Sequence, residues 1–285
     1  MILTRFDYAV PATVEEAAAL LAATPGSRVL AGGQSLLADL QKDGAPAPLL
    51  VDLRRVPGLR GISEGPDGTL RIGAMTTLAE LADDPRLRLA YPVLGEAARS
   101  NGDPQVRNRG TVAGNLAATG RPTDLPVAAA VTGASVVVGD TSGSRTLTAE
   151  EFAALVAEDR LAGLVVTRIE LPAPPAGQSG TFEKIAVRAT RYPLCAVAVQ
   201  AARAADGTLV SARIAVTGAT PAPVRLPALE QALPGVRGTD QEVRAAVRTL
   251  PRSAFTSRPG VSQEYLTHLV GVLTARALKR IPAQG

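Results

Sequence analysis

The run Val29-Leu30-Ala31-Gly32-Gly33-Gln34-Ser35-Leu36-Leu37 sets an apolar segment against two adjacent glycines, a hydroxyl residue and a second apolar segment. Successive backbone N–H groups can converge on one anion only where no side chain holds the ligand off, and glycine also admits positive φ. A helix opening at Ser35 would add its unpaired N–H groups and its positive pole at the same point. The chemistry on offer is phosphate binding; an ordinary tight turn is the competing reading. Two familiar nucleotide patterns are excluded. The glycines lack the G-x-G-x-x-G spacing of a Rossmann turn, although Asp52 closes a later strand near the expected distance, and no G-K-[ST] follows as in a P-loop.

A second stretch runs from Asn101 to Ala117 and contains Gln105-Val106-Arg107-Asn108-Arg109-Gly110-Thr111-Val112-Ala113-Gly114-Asn115-Leu116-Ala117. Gly110, Ala113, Gly114 and Ala117 would let a flat or extended ligand lie against backbone. Thr111 and Asn115 add a hydroxyl and an amide that can bond phosphate or the edge of a heterocycle. A polar surface loop is the alternative. Asp124 reads in two ways, as an acceptor for a sugar hydroxyl or as the N-cap of a helix over 125–130.

What is scarce narrows the chemistry further. Cys195 and His268 are the only residues of their types, which excludes disulfides and any Cys/His metal or iron–sulfur site made by this chain alone. His268 reads as an ordinary helical residue, so no Ser-His-Asp triad is expected. Cys195 reads as a small buried hydrophobe of a strand. The net charge of +4 is spread among acids and aromatics make up 3%, so the basic stripe and stacking platforms of a nucleic-acid binder are missing. The start of the chain has no signal-peptide pattern and no apolar run reaches membrane-spanning length, so a cytoplasmic protein without membrane insertion is expected.

The elements that must position these residues follow from caps and periodicity. At 285 residues, two domains are the better expectation, and the 46% hydrophobic share supports real cores built from Ala, Val and Leu. Thr13…Glu16, Thr77…Glu80, Thr148…Glu151 and Thr239…Glu242 are capping-box patterns that open helices. Strands are predicted over 28–31 and 49–53, giving a small βαβ-like unit with the glycine loop at its strand-to-helix corner. Further strands are predicted over 69–74, 134–138 and 164–171. Residues 172–180 are rich in proline and glycine and read as a linker. Beyond them, strands over 181–187, 195–201 and 212–217, with Asp206-Gly207 as a hairpin turn, precede helices over 226–233, 239–250 and 262–280, an α+β arrangement.

With both loops in view, the chain resembles the FAD-binding medium subunits of the molybdenum hydroxylases, the family of carbon monoxide dehydrogenase, bacterial xanthine dehydrogenase and related aldehyde oxidoreductases. The resemblance rests on Ala31–Leu37 and Gln105–Ala117, supported by Val51–Leu59 and Ile72–Thr77, and it covers nearly the whole chain. It implies an α+β fold: a vanillyl-alcohol-oxidase-like (PCMH-type) FAD-binding domain of two α/β subdomains, then a three-stranded antiparallel sheet with helices. The implied division is 1–175 (subdomains about 1–56 and 57–175) and 176–285. Within it, Gly32, Gly33, Gln34 and Ser35 would hold the FAD pyrophosphate through backbone N–H groups and the Ser35 hydroxyl, with Leu30, Ala31 and Leu36 also against the cofactor. Gly110, Thr111, Gly114, Asn115 and Ala117 would form the second loop, and Asp124 would meet a sugar or ribityl hydroxyl. Lys184 and Tyr192 would approach the isoalloxazine ring, where an ammonium favours an anionic reduced flavin and an aromatic face covers the ring.

Two departures from the family pattern carry structural requirements. Ala113 stands where a glycine is usual, which demands a negative φ there. The stretch Ala118–Asp124 also differs: Arg121 stands where proline is common, and Pro122 comes one place late. The implied role is electron transfer from iron–sulfur clusters of a small partner subunit, through FAD, to NAD, quinone or oxygen, with a large molybdopterin subunit oxidising the substrate. A stand-alone flavin oxidase or dehydrogenase and a module that has lost FAD are the alternatives.

Overall fold

The computed structural model describes residues 5–41, 47–65 and 67–283. The chain forms two compact units. The first gathers Met1–Glu80, Pro104–Gly120 and Ala134–Pro172; the second gathers Leu81–Asp103, Arg121–Gly133 and Ala173–Gly285.

In the first unit, β1 (Asp7–Ala9), β2 (Arg28–Leu30) and β3 (Leu49–Asp52) form a parallel sheet of order β1-β3-β2. The apolar run of β3 is buried throughout, as a central parallel strand requires. Thr13 caps the helix Val14–Ala23 by accepting the Glu16 N–H, while the Glu16 carboxylate accepts the Ala12 N–H one residue earlier than a capping box would have it. That helix buries Ala17, Ala18 and Leu21 in one cluster with Leu49, Val51, Leu53 and Val165.

The unit's other sheet is antiparallel: β4 (Ile62–Glu64), β5 (Leu70–Gly73), β6 (Ser135–Asp140), β7 (Gly143–Thr148) and β8 (Val165–Leu171), in the order β4-β5-β8-β6-β7. The short strands β1, β4 and β7 were not expected from periodicity. All three carry largely exposed residues, so no apolar alternation marks them.

In the second unit, β9 (Gln178–Ile185), β10 (Cys195–Arg203), β11 (Leu209–Thr217) and β12 (Val224–Arg225) make an antiparallel sheet of order β12-β11-β10-β9. The three expected strands are there, joined by a two-residue edge strand. The linker is shorter than its composition suggests, because Gln178, Ser179 and Gly180 already pair with β10. Every residue of β10 is buried. On one face Cys195, Val197 and Val199 join a core with the helices Pro227–Ala232, Asp240–Arg248 and Gln263–Lys279. The sheet also packs against Pro92–Arg99 and Leu125–Thr132, helices that come from the first half of the sequence. Among the described residues no helix is long and apolar enough to cross a membrane.

Candidate cofactor site

The glycine loop leaves the C-terminal end of the parallel sheet, where Leu30 of β2 lies beside Asp52 of β3. Strand carboxyl ends are where open α/β sheets present loops to ligands. The two glycines are required for different reasons. Gly33 has φ +74°, the left-handed region. Gly32 is needed for space: a Cβ there would lie 2.2 Å from the Arg109 carbonyl oxygen and 2.9 Å from the Gly110 Cα. The two loops singled out in the sequence are thus packed backbone to backbone.

The amide N–H groups of Gly32, Gly33, Gln34 and Ser35 have no hydrogen-bond partner among the described residues. The helix after them, Leu36–Leu40, is only five residues long, and the Ser35 hydroxyl makes no capping bond to it. The donor set therefore consists of loop amides and a free hydroxyl rather than the end of an extended helix. Gln34 is exposed and folds back, its Nε2 donating to the Gly32 carbonyl at 3.2 Å.

The second loop is not an open polar loop but two short helices, Pro104–Arg109 and Val112–Leu116. Hydrogen bonds fix it to the segment after β5. The Leu78 N–H donates to the Gly110 carbonyl at 2.8 Å, the Val112 N–H to Thr76 at 2.9 Å and the Ala113 N–H to Ala74 at 3.0 Å. Thr111 is buried and caps the second helix, its hydroxyl accepting the Gly114 N–H at 3.1 Å. A Cβ at Gly114 would press to 2.9 Å from that oxygen, so the glycine permits the cap. Ala113 sits within the helix and its φ is not positive, which meets the requirement set by its methyl group. Asn115 occupies the helix and Ala117 closes it, its N–H donating to Ala113.

In the second unit, Asp124 precedes the helix Leu125–Thr132 but makes no side-chain cap, so the capping reading is not realised. Its Oδ2 instead accepts from the Lys184 ammonium at 2.8 Å. The pair is deeply set, with 10% of the lysine side chain and 7% of the aspartate side chain exposed. Burial pushes the Asp124 carboxyl above the usual range, opposed by the Lys184 charge. Lys184 also donates to the Ser100 carbonyl at 3.4 Å. Sequence reasoning missed Ser100, whose carbonyl accepts from Lys184 and whose hydroxyl side chain helps hold the Asp124 carboxyl down. The Asp124 Oδ1 is buried without a hydrogen-bond partner among the described residues. Beside the pair, a cleft of about 640 Å³ is lined by Arg99, Ser100, Lys184, Ala186 and Ala189, among others. Tyr192 stands on the connection between β9 and β10, and no hydrogen bond among the described residues joins it to the pair.

These features fit a dinucleotide cofactor. In the first unit, convergent unpaired amides match the diphosphate of such a cofactor. No group of three or more His, Cys, Asp or Glu among the described residues could hold a metal ion.

Comparison with known proteins agrees. Residues 4–174 match the family model described as the FAD binding domain in molybdopterin dehydrogenase, and residues 180–281 match the CO dehydrogenase flavoprotein C-terminal domain. The carbon monoxide dehydrogenase medium chain of Hydrogenophaga pseudoflava is 34% identical over 252 residues, 86% of each chain. The nicotine 6-hydroxylase medium subunit of Paenarthrobacter nicotinovorans is 32% identical over 98% of each. A solved structure of the Hydrogenophaga pseudoflava carbon monoxide dehydrogenase superposes with a TM-score of 0.87 at 34% identity, covering 99% of this chain and 98% of that one. Matches at this identity over nearly the full length, with both family models in order, place the sequence: the chain belongs to the FAD-binding medium subunits of the molybdenum hydroxylases.

Proposed function

We propose that this chain is the electron-transfer flavoprotein component of a three-subunit molybdenum hydroxylase. The observation that carries the reading is the backbone contact of Gly32 with Arg109 and Gly110, beside a row of unpaired loop amides. FAD, when bound, supplies a two-electron store between single-electron clusters and an external acceptor. The protein's part is to bind, orient and set the local charge.

In this reading Leu30, Ala31, Gly32, Gly33, Gln34, Ser35 and Leu36 form the first diphosphate loop, with donors from the amides and the Ser35 hydroxyl. Gly110, Thr111, Gly114, Asn115 and Ala117 form the second. Asp124 accepts from a sugar or ribityl hydroxyl through Oδ1. Lys184 brings positive charge toward the isoalloxazine ring and Tyr192 supplies an aromatic face. Residues 1–175 and 176–285 act as the FAD-binding and C-terminal flavoprotein domains, the first divided near residue 56.

No residue acts as a general base, since substrate oxidation belongs to a molybdopterin-containing large subunit. Electrons arrive from a [2Fe–2S] small subunit and leave to NAD, quinone or oxygen. The complex is cytoplasmic. Medium chains and subunits among the relatives support an assembly of this kind.

The test is co-expression with candidate large and small subunits. The chain should purify with stoichiometric FAD by absorbance and assemble with both partners. It should show no substrate turnover alone. A colourless protein that takes up no flavin, or a chain that oxidises substrate unaided, would overturn the reading.

A further inference from the structure

The connection between β9 and β10 carries Tyr192 and is anchored in an uneven way. At its base the Leu194 N–H donates to the Ile185 carbonyl at 2.9 Å, and within it the Arg191 N–H donates to Arg188 at 2.9 Å. Val187 is 74% exposed and Tyr192 45%. Among the described residues, one hydrogen bond ties residues 187–192 to another element: the Gly102 N–H donates to the Ala189 carbonyl at 3.2 Å. A Cβ on Gly102 would lie 2.5 Å from that carbonyl oxygen, 2.7 Å from its carbon and 2.9 Å from the Ala189 Cβ. Real Cβ atoms do not approach backbone that closely, and two of the three contacts are main chain, so no rotamer change relieves them. The Gly102 φ is not positive, so its need for glycine is spatial rather than conformational.

We infer that Gly102 is a positioning residue: its missing side chain and its N–H clasp the 187–192 loop at Ala189 and thereby set where Tyr192 stands. The inference about Tyr192 and the ring rests on the proposed flavin role, whereas the clasp itself does not. A methyl at position 102 expels the Ala189 carbonyl and breaks the bond, leaving the connection held only from its base, where Arg258 Nη1 donates to the Pro193 carbonyl at 3.3 Å and Leu194 to Ile185. Gly102 is not among the residues assigned to the diphosphate, which lie at 30–36 and 110–117, so FAD retention is expected to survive the change.

The experiment uses the full chain and its Gly102→Ala variant. Trypsin should cut the variant at Arg188 and Arg191 about tenfold faster than the parent, the opening expected from losing one tie of this kind. Circular dichroism and melting should stay parent-like. In flavin-loaded protein, Gly102→Ala and Tyr192→Leu should each raise flavin fluorescence, and the double variant should rise no further than Tyr192→Leu alone. Equal tryptic rates, or additive fluorescence changes, overturn the inference. Should Gly102→Ala fail to fold, hydrogen exchange on the parent decides: a protected Gly102 amide supports the clasp and a rapidly exchanging one refutes it. If the parent binds no FAD, the function proposed above fails, while the tryptic and exchange results still decide the clasp.

Discussion

The Cα of Gly32 faces the backbone of Arg109 and Gly110 so closely that a Cβ would penetrate to 2.2 Å of the Arg109 carbonyl oxygen. Replacing Gly32 by alanine must therefore separate the two loops. Gly32→Ala is expected to weaken FAD binding by about a hundredfold or more, on the order of 3 kcal/mol. Gly33→Ala should act differently. Its φ of +74° strains an L residue by roughly 1–2 kcal/mol without forcing the loops apart, so asparagine, which tolerates that region, should restore part of the loss. Fluorescence titration of apo-protein with FAD separates these outcomes.

Local patterns were legible in the sequence and distant ones were not. The boxes Thr148…Glu151 and Thr239…Glu242 form as predicted, because each is complete within a single turn. The glycine loop was visible for the same reason. The cause of Gly32 was hidden, since it lies some eighty positions away at Arg109, and a contact of that kind is set by topology. The helix Pro104–Arg109 buries none of its residues, so it has no apolar stripe to reveal it. Lys184 and Asp124 were each singled out, yet their pairing across sixty positions follows from the sheet packing β9 against Pro92–Arg99 and β10 against Leu125–Thr132, both from the first half of the chain.

Cys195 is fully buried in β10, and burial raises its thiol to about 12, against a small opposing effect of Arg258. The thiolate is the reactive form, so the native protein should resist thiol reagents even in mildly alkaline buffer. Colorimetric thiol titration at about pH 8 should find no reactive group in native protein and one after denaturation. Rapid native labelling would place Cys195 outside the core.

The two capping boxes give a pH dependence of definite sign. Backbone N–H groups of Thr148 and Thr239, followed by the threonine hydroxyls, hold the Glu151 and Glu242 carboxyls below the usual value of 4.5. A carboxyl whose pKa falls on folding stabilises the fold above its unfolded pKa, and that gain disappears as pH drops through the folded value. Glu151→Ala and Glu242→Ala should therefore lower the melting temperature at neutral pH. The difference from the parent should shrink below 4.5 and vanish once both carboxyls are protonated. A melting difference that is constant from neutral to acid pH would mean that the carboxylates do not cap.

The Lys184–Asp124 pair should behave as a buried pair in a mutant cycle. With 10% and 7% of their side chains exposed, neither charge keeps its water when the other is removed. Lys184→Met strands a carboxylate that already has one unpartnered oxygen, and Asp124→Leu leaves the ammonium with only the Ser100 carbonyl. Each single change should cost on the order of 3–5 kcal/mol in chemical denaturation. The double variant should cost less than either, because no lone charge remains in the interior. Singles costing under about 1 kcal/mol, the range of exposed pairs, would mean that water reaches both groups.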